Sequence, residues 1–108
     1  LMASGMNGQN FQFHGYLPID NADRKKKIQA LESDTLSRGC TQLFIETPYR
    51  NNQMLDALIQ YCHPNTRICI GVDITGPNEF IKTAPISYWK NNKPELHKKL
   101  VVFLMGTK

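Results

Sequence analysis

The chain predicts an α/β fold: a mixed sheet of about five strands with helices packed mainly on one face. Three observations carry this. Short strand-like apolar runs alternate with two long stretches of 3.6-residue apolar period. The first part of the chain repeats strand, helix, strand, which is the unit of a parallel pairing. Two further strand-like runs then flank Gly76-Pro77-Asn78, a turn signal that adds a hairpin.

The elements follow in order. Phe11, Phe13 and Tyr16 alternate with polar neighbours, as in a half-buried strand, and Leu17-Pro18 ends it. Asp20 or Asn21 can cap a helix running to about Arg38, with Ile28, Leu31 and Thr35 on one face and Gly39 as the stop. Leu43-Phe44-Ile45 suits a buried strand of parallel type. Thr47-Pro48 predicts a second helix start, a hydroxyl cap before a first-turn proline. Met54, Leu55, Leu58, Ile59 and Cys62 form its apolar stripe, and His63-Pro64-Asn65 ends it. Arg67 to Ile74 is the next strand and Glu79 to Thr83 its partner. Pro85 to Glu95 reads as loop or one helical turn, and Leu100 to Met105 as a last buried strand.

At 108 residues the chain has room for one domain and a modest core. With 41% hydrophobic and 20% charged residues it is an ordered globular protein, not a disordered tail. Its longest apolar run, Leu100 to Met105, is far too short to cross a bilayer, so no membrane partner is expected. Leu1-Met2-Ala3-Ser4-Gly5 reads as the end of a helix that begins before the chain does. Three cysteines in unpaired spacing argue against a disulfide framework and suit a reducing cytoplasm. They also lack the spacing of a zinc site, and no metal is expected. The net charge of +4 is compatible with RNA without requiring it.

Three segments, in this order, resemble the second domain of the tetrapyrrole methylase superfamily, and within it the branch that methylates ribose 2′-oxygens of small-subunit ribosomal RNA. The first is Ala3-Ser4-Gly5 with Phe11-Gln12-Phe13-His14-Gly15-Tyr16-Leu17-Pro18. The second and most specific is Leu43-Phe44-Ile45-Glu46-Thr47-Pro48-Tyr49-Arg50. The third is Val72-Asp73-Ile74-Thr75 with Glu79-Phe80-Ile81-Lys82. Val72 stands where the branch usually carries an arginine, so a tetrapyrrole-like small-molecule acceptor is the alternative within the superfamily.

The resemblance implies that residues 1–108 are the C-terminal cleft domain of an S-adenosylmethionine-dependent methyltransferase, separated from the methylase domain that precedes it. It implies a cofactor wall on loops after strands: Ile45, Glu46, Thr47 and Pro48, then Asp73, Ile74 and Thr75. Loops at the carboxyl ends of strands are also where open α/β sheets bind ligands. A cap at Thr47-Pro48 and a turn at Asp73 to Gly76 need the same residue types for local reasons alone. Arg50, Arg24, Lys25 and Lys26 are the candidate contacts to an RNA backbone. For Arg50 the alternative is a pairing with Glu46, and for the basic run it is a solvated helix face. Tyr88 and Trp89 near Lys90 can stack on a base or cover a sheet edge. A homodimer is expected from the exposed interdomain face. The rival from another class is a non-catalytic RNA-binding or interaction module, carried on the basic helix and the Trp89 loop.

Overall fold

A computed structural model describes residues 11–73, 76–77 and 79–106. The expected helix end at Leu1 to Gly5, with the first part of the first motif, lies outside these residues, as do Ile74 and Thr75. Strand β1 (Phe11–Tyr16) leads to helix α1 (Asn21–Arg38), strand β2 (Thr41–Ile45) and helix α2 (Asn51–Tyr61). Strands β3 (Arg67–Val72) and β4 (Phe80–Pro85) form the hairpin. The short helix α3 (Ile86–Asn91) and strand β5 (Val101–Gly106) complete the order.

The ends of α1 follow from local chemistry. Asp20 stays extended and its carboxylate accepts from the amides of Ala22 and Asp23, each at 3.1 Å. Gly39 takes a left-handed φ of 65° and its amide donates to the Thr35 carbonyl, as glycine alone does without a steric penalty. Helix α2 departs from expectation. Thr47-Pro48 is a turn, closed by the Arg50 amide on the Thr47 carbonyl at 2.9 Å, and the helix begins at Asn51 with Arg50 in the capping place. The Thr47 hydroxyl therefore caps nothing, and Arg50 supplies no side-chain cap either.

The five strands form one mixed sheet in the order β1-β2-β5-β3-β4. β1 and β2 are parallel, while β5 runs antiparallel to both β2 and β3 and so fills the space between these two co-directional strands. This insertion brings the carboxyl ends of β1, β2 and β3 and the amino end of β5 to one edge. All three helices contribute to a single apolar cluster on one face, with Ile28 and Leu31, Met54 and Leu58, and Ile86 and Trp89 packed on Phe44, Ile68, Ile70 and Phe103. Phe44 and Phe103 are register partners with stacked rings 5.7 Å apart, a cross-strand pair at the centre of the core. The expected apolar positions of both long helices are in this core, including Cys62.

On the opposite face the described residues form a smaller cluster of strand side chains: Leu43, Cys69, Ile81, Val102 and Leu104. Beside them β1 exposes Phe11, Phe13 and Tyr16. Trp89 lies in the core instead of on a binding loop, with an accessibility of 1%. Its indole nitrogen donates to the carbonyls of Ile68 and Ala84 at 3.0 and 3.2 Å, so it can stack on nothing outside.

Candidate functional site

The edge where the three strand ends meet β5 is recessed. A cleft of about 320 Å³ is lined there by Tyr16, Ile45, Glu46, Pro48, Gly71, Asp73 and the first residues of β5 with Leu100. A second depression of about 290 Å³ adjoins it, lined by Val72, Asp73, Lys98, Lys99 and Leu100. Asp73 and Leu100 belong to both.

Each wall has a local cause. β1 pairs Phe13 with Leu43 but Tyr16 with Ile45, so three residues of β1 span two of β2. Gly15 absorbs the extra residue at a φ of 66°. The bulge turns Tyr16 to the same side as Ile45, and both line the cleft. On the far wall Asp73 adopts a φ of 48°, a left-handed conformation that costs a non-glycine residue energy. Its amide donates to the Leu100 carbonyl at 3.0 Å, and its carbonyl accepts from Gly76 at 2.8 Å. Gly76 lies so close that a Cβ there would collide with the Asp73 carboxylate.

Beneath the floor lies a buried ion network. The Glu46 side chain is 1% exposed; one oxygen faces Arg24 Nη2 at 3.3 Å, the other Arg50 Nε at 3.4 Å and the Thr47 amide at 2.7 Å. Arg24 is itself 3% exposed, and its Nε donates to the Pro18 carbonyl. The network ties the start of α1 to the β2–α2 turn. A buried carboxylate shared by two guanidiniums and an amide has the partners that burial of a charge requires.

The segment before β5 is fastened with equal care. The Lys98 amide donates to the Pro48 carbonyl at 2.9 Å. Asn51, wholly buried, donates through Nδ2 to the carbonyls of Leu96 and Lys99 at 3.1 and 2.7 Å. Lys98 is the second non-glycine residue with a left-handed φ, at 63°.

Of the seven expected cofactor-wall residues, Ile45, Glu46, Pro48 and Asp73 come together in this cleft. Thr47 stands between them without lining it, and Ile74 and Thr75 fall outside the described residues. Arg50 is beside the cleft and paired with Glu46, which the residue types at the turn allowed for. Arg24 differs: it points inward to Glu46 and is too buried to meet an RNA backbone. Lys25 is exposed, with its ammonium 5.7 Å from the Tyr61 ring centroid, and Lys26 is exposed. Tyr16, Lys98 and Lys99 were not singled out by sequence reasoning. Gly15 in a strand pattern was the signal for the first, as a bulge marker; nothing local marks the lysines.

The three cysteines are buried and free. Burial, reinforced by Glu32, pushes the Cys62 thiol far above its ordinary value, and burial raises that of Cys69. Neither offers a thiolate for chemistry. Among the described residues no group of three or more His, Cys, Asp or Glu could hold a metal ion, and no helix is long and apolar enough to cross a membrane.

No known family profile matches the chain. Over 87 residues, 81% of its length, it is 30% identical to the ribosomal RNA small subunit methyltransferase I of Vibrio cholerae. It is 28% identical over 86 residues to the protein of the same name from Mesorhizobium japonicum, and 39% identical over 59 residues to that from Halalkalibacterium halodurans. The chain spans only 29%, 28% and 19% of the length of these relatives. Among solved structures, the methyltransferase CobJ matches 97% of the chain with a TM-score of 0.56 at 17% identity, the match covering 46% of that protein. The uroporphyrin-III C-methyltransferase of Thermus thermophilus, complexed with S-adenosylhomocysteine, matches the same share at 0.55 and 14%, with 48% of it covered. Sequence likeness runs through four fifths of the chain, while the fold is shared across nearly all of it. On these grounds the chain is similar in sequence to ribosomal RNA small subunit methyltransferase I and shares the fold of these methyltransferases.

Proposed function

We propose that this chain is the second, cleft-forming domain of an S-adenosylmethionine-dependent methyltransferase, and that the whole protein methylates a ribose 2′-oxygen of ribosomal RNA in the cytoplasm. The observation that carries the reading is the convergence of Ile45, Glu46, Pro48 and Asp73 on one recess at the carboxyl edge of the sheet. The relatives in Vibrio cholerae, Mesorhizobium japonicum and Halalkalibacterium halodurans, named as ribosomal RNA methyltransferases, support the RNA acceptor.

The recess suits an adenosine. Ile45, Pro48, Val101 and Val102 offer apolar walls, Tyr16 an aromatic one, and Asp73 a carboxylate at the rim. About 320 Å³ is at the small end for a ligand pocket, as fits one wall of a cleft completed by a facing domain. When bound, the sulfonium cofactor supplies an already activated methyl group, so little acid–base machinery is required. The contribution of this chain is to orient, to exclude water and to hold the β2–α2 turn rigid through Glu46.

Calorimetry with S-adenosylmethionine is the test. Tight binding is expected from the full-length protein and not from the isolated domain, which is also expected to transfer no methyl group. Asp73→Ala in the full-length protein should weaken binding about tenfold, the loss of one hydrogen-bonded or charged contact. Absence of binding by the full-length protein would remove the methyltransferase reading.

The homodimer is proposed to form through the sheet face bearing Phe11, Phe13 and Tyr16, exposed at 49, 59 and 63%. Phe13→Ser should shift the full-length protein toward monomer in sedimentation velocity runs. An unchanged sedimentation coefficient would place the dimer contact elsewhere.

A further inference from the structure

We propose that the rim made by the β2–α2 turn and the segment before β5 is where a single-stranded stretch of nucleic acid lies, with Lys98 and Lys99 on its phosphates and Tyr49 under a base. The inference rests on the cofactor reading of the cleft in one respect, that the acceptor must come to this edge. It departs from the sequence expectation that the α1 cations carry the backbone contacts.

The chemistry is that of a strand-binding groove, cations beside an exposed aromatic. Tyr49 is 68% exposed and stands edge-on to His97 with ring centroids 5.7 Å apart, which leaves a face of the phenol ring for stacking. Lys98 and Lys99 are exposed and line the depression that shares Asp73 and Leu100 with the main cleft; neither is within ion-pair distance of a carboxylate among the described residues, although the Lys99 charge is felt by Glu95. Arg50 adds charge at the same place, because Glu46 answers two guanidiniums with one carboxylate. Two carboxylates, Asp73 and Glu95, belong to the same rim and leave its balance modestly positive. Glu95 is held by its own contacts: the His97 amide and then the Asn52 side chain keep its carboxyl below the ordinary range.

The rim is also rigid, which a flexible lysine tail is not. Lys98 is kept in a left-handed conformation by the Pro48 carbonyl, and Asn51 gathers the carbonyls on either side of it. Strain retained by surrounding bonds in a loop beside a cleft is a feature of binding sites. On α1, by contrast, Arg24 is buried against Glu46 and Lys25 lies over Tyr61.

The test is fluorescence anisotropy of a labelled single-stranded RNA dodecamer with full-length protein at several salt concentrations, with S-adenosylmethionine calorimetry on the same samples. The pair Lys98→Gln and Lys99→Gln should lower affinity about tenfold and reduce the salt slope by about 1.4, two phosphates at 0.7 each. Tyr49→Ala should lower affinity about fivefold or more and leave the slope unchanged. Cofactor affinity should stay within about twofold in each variant. Loss of RNA affinity on changing Lys25 and Lys26 instead, with the rim variants intact, overturns the proposal. So does equal binding of an acidic peptide in competition with the RNA. Rim-dependent RNA binding without any cofactor binding would keep this surface and sink the methyltransferase reading, so the two fail separately.

Discussion

Replacing Glu46 with alanine will destabilise the protein by about 3–5 kcal/mol, the range for breaking a buried ion pair from one side. The change leaves the Arg24 guanidinium in a site 3% exposed with, among the described residues, the Pro18 carbonyl as its remaining partner. It also frees the Thr47 amide and the Arg50 side chain at the turn that walls the cleft. Urea unfolding measures the effect. Glu46→Gln should cost less, since an amide oxygen can still accept from Arg24. The double change Glu46→Met with Arg24→Met should be milder than Glu46→Ala alone, because no charge is then stranded. A cost below about 1 kcal/mol for Glu46→Ala would mean that water or another acid reaches Arg24, and the network could not be the frame of the turn.

This network explains both what could be read from the chain and what could not. The bounds of α1 were legible because Asp20 and Gly39 act on amides and carbonyls within four residues. The start of α2 was misplaced because Thr47-Pro48 has the same composition as a cap and as a turn; the deciding partner, the Glu46 carboxylate on the Thr47 amide, forms only once that carboxylate is buried against Arg24. Arg24 sat in a basic run that looked solvated, and nothing local says that its neighbours face water while it turns inward. The recess was half legible. Ile45 ends β2, Glu46 and Pro48 come just after it and Asp73 follows β3, so a strand reading and a family likeness sufficed to find them. Lys98 and Lys99 reach the site only because β5 inserts between β2 and β3, a pairing across about sixty residues of chain that no local pattern specifies.

Trp89 supplies the other large effect. Its alanine variant should lose about 3–5 kcal/mol, the usual cost of emptying an aromatic site in a core. The indole does more than fill space. Its nitrogen bridges the carbonyls of Ile68 and Ala84, register partners on β3 and β4, and so pins α3 to the hairpin. Trp89→Phe keeps much of the volume and removes the donor, and should cost about 1–3 kcal/mol, the penalty for leaving buried acceptors without it. The same pair of variants separates a methyltransferase domain from the rival interaction module, which needed this residue on an accessible loop. With Trp89 in the core, Trp89→Phe lowers the melting temperature and leaves RNA affinity within about twofold, since base stacking by the indole would be worth about 1–3 kcal/mol. A tenfold loss of RNA affinity at an unchanged melting temperature would require the indole to face solvent, and the module would then be the better account.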